Sequence, residues 1–233
     1  GGPTIQGTTA QVTAALVTAG TRITAAAAKV DLTNDPTGAE LAAINPKTSG
    51  TITLNDTAQN FSGTATELAA AFDGFGTDAL TGTITITGAA PSPTELKTIS
   101  DATSGAITLP STNFTLSASS SVLADALSGN FTNYAGNVTL TDAAPSAANL
   151  AIINNKTSGT VTLNANDATF TGSASDVAAA FAGGLEGTQT GALTLSDNTG
   201  TIAATTLTDI TAQTTGAVGM ASVSYTHLTL PTT

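Results

Sequence analysis

The sequence predicts an α/β chain built as a tandem-repeat solenoid, with a parallel sheet on one side and short capped helices on the other. Three observations predict it. Thr-Ser-Gly followed by a β-branched run recurs at Gly50-Thr-Ile-Thr-Leu54, Gly105-Ala-Ile-Thr-Leu109 and Gly159-Thr-Val-Thr-Leu163, with a degenerate copy from Gly216. Self-similarity at a fixed period marks units that bury their apolar faces only by stacking on neighbours. The runs alternate, with Ile52, Leu54, Ile84, Ile86, Val138, Leu140, Leu193 and Leu195 on one face and Thr51, Thr53, Thr83, Thr85, Thr139 and Thr194 on the other. A sheet covered on both sides would read as unbroken Val/Ile/Leu instead. Finally, hydroxyl residues followed three positions later by an acid or amide mark repeated helix starts.

Residues 1–50 read as the tail of an earlier copy, 51–105, 106–159 and 160–216 as three copies, and 217–222 as the start of another. Capping boxes are expected at Thr8/Gln11, Thr37/Glu40, Thr64/Glu67 and Ser92/Glu95, with an aspartate version at Ser173/Asp176. Pro93 falls at the first helical position, where a missing N–H costs nothing. The first helix of each copy carries the pairs Leu68/Phe72, Leu123/Leu127 and Val177/Phe181. The second carries Leu41/Ile44, Leu96/Ile99, Leu150/Ile153 and Leu207/Ile210. Spacings of three and four put each pair on one narrow stripe. A further short strand is expected at 59–63 and 167–172, ahead of the first helix. If it forms a second sheet, the alternative architecture is a flattened β-solenoid with short helices inserted. Helices of about ten residues do not persist alone, so stability must come from stacking.

The two ends depart from the pattern. Gly1-Gly2-Pro3 carries no initiator Met, which points to a truncation. Val223-Ser-Tyr-Thr-His-Leu-Thr-Leu-Pro-Thr232 resembles a sequencing adapter translated in frame, so 223–233 is expected to be an adapter-derived tail that does not pack. His227, the sole histidine, lies within it.

Composition excludes several functions. Five Lys and Arg against 16 Asp and Glu give a net charge of -11 and no basic footprint for nucleic acid. There is no Cys, and no run of about 18 apolar residues for a membrane span. No catalytic residue and no cofactor-binding residue is expected, because Glu40, Glu67, Glu95 and Asp176 are already explained as helix caps. The weak metal candidates are Asp142 and Asp197, at matching positions after the second strand where the first full copy has Gly88. Calcium needs six to eight oxygens, so turn-forming aspartate is the default. Lys47-Thr-Ser-Gly50 and Lys156-Thr-Ser-Gly159 resemble a phosphate loop without its upstream glycine. Their lysines are expected to complement helix C-termini, and their glycines to turn the chain into the next strand. The Thr rows suggest ice binding, but Ala106, Asn137 and Ala192 interrupt them. Phe75, Asn133, Tyr134 and Glu186 mark the variable stretch after the first helix without forming a repeated set.

Ala102-Thr-Ser-Gly-Ala-Ile-Thr108, Gly63-Thr-Ala-Thr-Glu-Leu-Ala-Ala-Ala-Phe72 and Ala143-Ala-Pro-Ser-Ala-Ala-Asn-Leu150 resemble the Thr/Ala/Gly-rich tandem repeats of very large secreted or cell-surface proteins of marine cyanobacteria and other aquatic bacteria. The resemblance implies an extracellular or cell-surface, elongated, non-enzymatic segment. The expected function is a structural or adhesive spacer whose partners are neighbouring repeats of the same chain, surface glycans or other cells. The alternative is a ligand-binding repeat module: a calcium-dependent adhesin, a glycan binder or an ice binder.

Overall fold

In the computed structural model, residues 2–18, 27–76, 79–111, 113–131, 134–197 and 201–221 are described. The adapter-like tail 223–233, with His227, lies outside them, as does Asn133. The described residues form eight α-helices and four parallel three-stranded sheets. The first sheet runs β1 (Thr4–Gly7), α1 (Thr9–Leu16), β2 (Lys29–Leu32), α2 (Gly38–Ile44), β3 (Ile52–Thr53). The second runs β4 (Phe61–Thr64), α3 (Ala65–Phe72), β5 (Ile84–Thr87), α4 (Pro93–Ala102), β6 (Ile107–Thr108). The third runs β7 (Leu116–Ala118), α5 (Ser120–Leu127), β8 (Val138–Leu140), α6 (Ala147–Lys156), β9 (Val161–Thr162). The fourth runs β10 (Phe170–Gly172), α7 (Ala174–Phe181), β11 (Leu193–Leu195), α8 (Ala204–Ala212), β12 (Val218–Met220). Within every sheet the strands lie in chain order.

The mixed α/β class, the parallel pairing and the short capped helices agree with the sequence reading. The single sheet it anticipated is divided into four. The strands expected at 59–63 and 167–172 are β4 and β10, and each opens a sheet by pairing with β5 or β11 rather than forming a sheet of its own. The strand that begins each copy is only two residues long where it is β3, β6 or β9, and it closes the sheet before it.

Alternation sorts the strand residues as expected. Ile84, Ile86, Val138, Leu140, Leu193 and Leu195 are buried, whereas Thr53, Thr83 and Thr194 are exposed. Helix and strand apolar faces join in one cluster running from Val12 to Ile210. The helical pairs all lie in it except Leu207 of α8, which is only partly buried and packs against the cluster from outside, where α8 meets α7.

Four capping boxes are complete. At α3, Thr64 N donates to Glu67 Oε2 (2.9 Å) and Glu67 N to Thr64 Oγ1 (3.2 Å), so each group satisfies an amide that the helix start leaves open. Thr8/Gln11, Thr37/Glu40 and Ser92/Glu95 repeat this. At α7 half of the box is replaced. Asp176 N donates to Ser173 Oγ (3.1 Å), but the shorter aspartate accepts from the Ser173 hydroxyl (2.8 Å) instead of the backbone.

One interior position breaks the apolar rule. Leu80, Tyr134 and Gln189 occupy equivalent places, each bridged to the threonine that follows the next helix. Gln189 is buried, and among the described residues neither of its side-chain polar atoms has a partner. Gln189→Leu is therefore expected to stabilise the chain by about 1–3 kcal/mol, the penalty of an unpaired buried amide. Chemical denaturation checks this, and a loss of stability would mean that the amide is satisfied.

Candidate functional site

The residues singled out for chemistry do not converge. Each is engaged by the strand–helix unit next to it. After β8, Thr141 N donates to Ala118 O (3.0 Å), which lays the following residue over the start of α5. There Asp142 Oδ1 accepts from Ser120 N (3.0 Å) and Oδ2 from Ser120 Oγ (2.6 Å). After β11, Asp197 Oδ2 accepts from Ala174 N (2.6 Å) at the start of α7. After β2, Asn34 Oδ1 accepts from Thr9 N (2.7 Å) and Thr9 Oγ1 (3.0 Å) at the start of α1. Ser120, Ala174 and Thr9 are first helical residues, whose amides the N-cap side chain one residue earlier does not reach. A carboxylate there also meets the positive end of the helix dipole. Asp142 and Asp197 thus act as second caps, supplied from the following unit. Gly88 holds the equivalent place at a φ of 83°, with no side chain to offer. Among the described residues, no group of three or more His, Asp or Glu side chains is placed to share a metal ion.

The Thr-Ser-Gly motif is a joint between units. Thr103 Oγ1 donates to Leu80 O and Gly82 O (both 3.3 Å) and accepts from Gly105 N (2.9 Å). Thr157 Oγ1 donates to Gly136 O (2.6 Å) and accepts from Gly159 N (2.9 Å), and Thr214 does the same with Gln189 O and Gly216 N (both 2.9 Å). Thr48 repeats it with Ala28 O and Gly50 N. Among the described residues the positive-φ glycines are Gly74, Gly88 and Gly187, so Gly50 and Gly159 do not act as turn formers. Their lack of a side chain is what matters, because a Cβ on Gly159 would overlap the backbone of Gly136. Lys156 Nζ donates to Gly129 O (3.1 Å), the carbonyl just past the neighbouring helix α5, whereas Lys47 ends a short 3-10 turn after α2.

The outward Thr rows are short, in register, and bounded by the sheets, with Thr85, Thr139 and Thr162 half-buried: Ser62, Thr85 and Thr108; Ser117, Thr139 and Thr162; Thr171, Thr194 and Gly219. The variable-loop residues are dispersed. Phe75 packs on Phe72 with ring centroids 6.1 Å apart, and Glu186 accepts from Thr162 Oγ1 (2.6 Å). Tyr134 is buried and donates to Phe114 O (2.6 Å), and burial pushes its phenol up to about 12.

Glu95 shows how a cap is tuned by the unit before it. Thr66 Oγ1 of α3 donates to its Oε1 (2.7 Å), and that bond, together with those from Ser92, holds the carboxyl below the usual glutamate value. A lowered folded pKa adds stability above the unfolded value and loses it as the pH falls through the folded one. The melting temperature is therefore expected to drop below about pH 4.5. Glu95→Gln should drop less over that window, and an equal drop would remove Glu95 from the acid transition.

Comparison with protein-family models, curated protein sequences and solved structures returns no match.

Proposed function

We propose that the chain is a non-enzymatic structural or adhesive spacer of a large extracellular repeat protein, its units stacked as a solenoid. The observation that carries this reading is the use made of the recurrent polar residues. Thr103, Thr157 and Thr214 tie one unit to the one before it, as do Asn34, Asp142 and Asp197. Asn45 Nδ2 and Asn154 Nδ2 reach forward to carbonyls at the ends of α3 and α7 (2.8 to 3.2 Å). The recurrent Thr-Ser-Gly threonines and the side chains that follow β2, β8 and β11 are thus used in joining; among the described residues, what recurs beyond them is the helix caps and the outward Thr rows. Helices also meet their neighbours in chain order from α1 to α8, as expected when each unit contacts only the adjacent ones. Among the described residues no helix is long and apolar enough to cross a membrane.

The measurable property of a spacer is shape. Chains of three, six and nine copies are expected to lengthen in near-constant steps at a fixed cross-section in small-angle scattering. A cross-section that grows with copy number would sink the proposal. Added calcium is expected to leave the melting temperature of these chains unchanged. A concentration-dependent rise that vanishes with Asp142→Asn and Asp197→Asn would favour a calcium-dependent adhesin instead.

A further inference from the structure

One sheet gives way to the next between α2 and α3, between α4 and α5, and between α6 and α7. At the first and third of these joints an asparagine of the leading helix closes the end of the following one. Asn45 Nδ2 donates to Ala70 O, Ala71 O and Asp73 O (3.0, 3.2 and 2.8 Å), and Asn154 Nδ2 to Ala179 O (3.0 Å). Carbonyls in the last turn of a helix have no partner within it, so these bonds satisfy α3 and α7 while tying each to the helix before.

The middle joint is built differently. Ser100 stands where Asn45 and Asn154 stand, one residue past the isoleucine of each helical stripe. Gly129 and Gly183 lie over these side chains in the same way, each so close that a Cβ would overlap Ser100 Oγ or the Asn154 amide. Ser100 is buried, yet among the described residues its hydroxyl has no partner. Asp125 O is the carbonyl of the sixth residue of α5, as Ala70 O is of α3 and Ala179 O of α7. It accepts instead from Ser128 Oγ (2.7 Å) and Ser128 N (3.2 Å), within its own turn. Gly129 O takes Lys156 Nζ from α6. The end of α5 is thus closed by itself and by the helix after it. What reaches it from α4 is the ion pair Lys97 Nζ–Asp125 Oδ2 (3.4 Å), both side chains more than a third exposed and the lysine shared with Asp101 (2.8 Å). A pair of that kind contributes little.

We propose that the stack has a built-in opening point between α4 and α5, where it parts more readily than at the matching joint between α6 and α7. The two joints are otherwise alike in their main-chain contact. Ile107 and Val161 are fully buried, and each donates its N–H across the joint, to Asn130 O and Gly184 O (both 2.8 Å). One buried side-chain hydrogen bond is small against the stability of the whole chain, but it sets which of two similar joints opens more often. The proposal does not rest on the spacer reading. In a spacer, the same joint would be where a loaded chain first lengthens.

Hydrogen exchange of the full chain, followed by NMR under native conditions, tests this through the Ile107 and Val161 amides. After correction for the chemical rate of each sequence, Ile107 is expected to be about threefold to tenfold less protected than Val161. Asn154→Ser should lower Val161 by a similar factor and leave Ile107 in place. Ser100→Asn combined with Ser128→Ala, which frees Asp125 O for the new amide, should raise Ile107 toward Val161. Equal protection of the two amides in the unaltered chain would overturn the proposal, as would Val161 unmoved by Asn154→Ser. An equal fall at both amides in Asn154→Ser would do the same, by showing that the asparagine supports the whole chain and not one joint. These readouts are independent of the scattering test of shape, so failure here and failure of the spacer reading are distinguishable.

Discussion

Gly159→Ala is expected to cost about 3 kcal/mol or more, an extreme value for adding one methyl group. Gly159 stands on Gly136, Gly105 on Gly82 and Gly216 on Gly191, so close that a Cβ on the upper residue would overlap the carbonyl of the lower. The lower glycines stand in the same way on Phe114, Gln59 and Ala168. A clash between side chains is relieved by a rotamer change, but here the obstacle is backbone on both sides. The methyl fits only if the units part, which breaks the Thr157 Oγ1 bond to Gly136 O and the Ser158 N bond to Tyr134 O (3.2 Å). Gly76→Ala is the matched control. Its Cβ has open space, so it should be neutral or stabilise by about 0.4–1 kcal/mol through the unfolded chain. Urea denaturation of the two variants decides the matter, and equal stabilities would show that the glycine contacts carry no constraint.

Leu96→Ala is expected to cost about 2–5 kcal/mol. Leu96 is fully buried on α4, which packs against α3 on one side and α5 on the other, so neither neighbour can close the cavity without losing its own contacts. Thr64→Ala, which removes the α3 cap, should cost only about 0.5–2 kcal/mol. Midpoints of denaturation at an unchanged slope give both numbers. A cap loss larger than the core loss would show that the apolar stripe of α4 is misplaced.

Local features were legible in the sequence. A capping box closes within three residues, so Thr64 and Glu67 announce α3 with no knowledge of the rest of the chain. Strand alternation sorts Ile84 and Ile86 from Thr83 and Thr85 because the side-chain period is two. Ser119 also caps a helix, but Val122 at the third position gives no signal; Ser146 has the amide Asn149 there, yet no reciprocal bond forms, and Ala203 caps α8 with no side-chain bond at all. What escaped was action at a distance. Asp142 and Asp197 read as turn residues because the amides they accept from lie 22 and 23 positions earlier. A hydrogen-bonding side chain 22 to 25 positions after the starts of α1, α5 and α7 was the available signal. The glycine contacts were hidden for the same reason, since their neighbours in the chain explain nothing about them.

The uniform joint also bears on how such a chain changes length over generations. Thr103 and Gly105 present the same bonds and the same bare backbone as Thr157 and Gly159. Excising residues 106–159 would bring Thr160 directly behind Gly105 and meet a surface of the kind it already fits. Unequal recombination between copies of the gene would therefore add or remove whole units without creating a mismatched seam. Such an exchange would keep the threonine and glycine of each seam, whereas the residue between them is Ser104, Ser158 or Thr215.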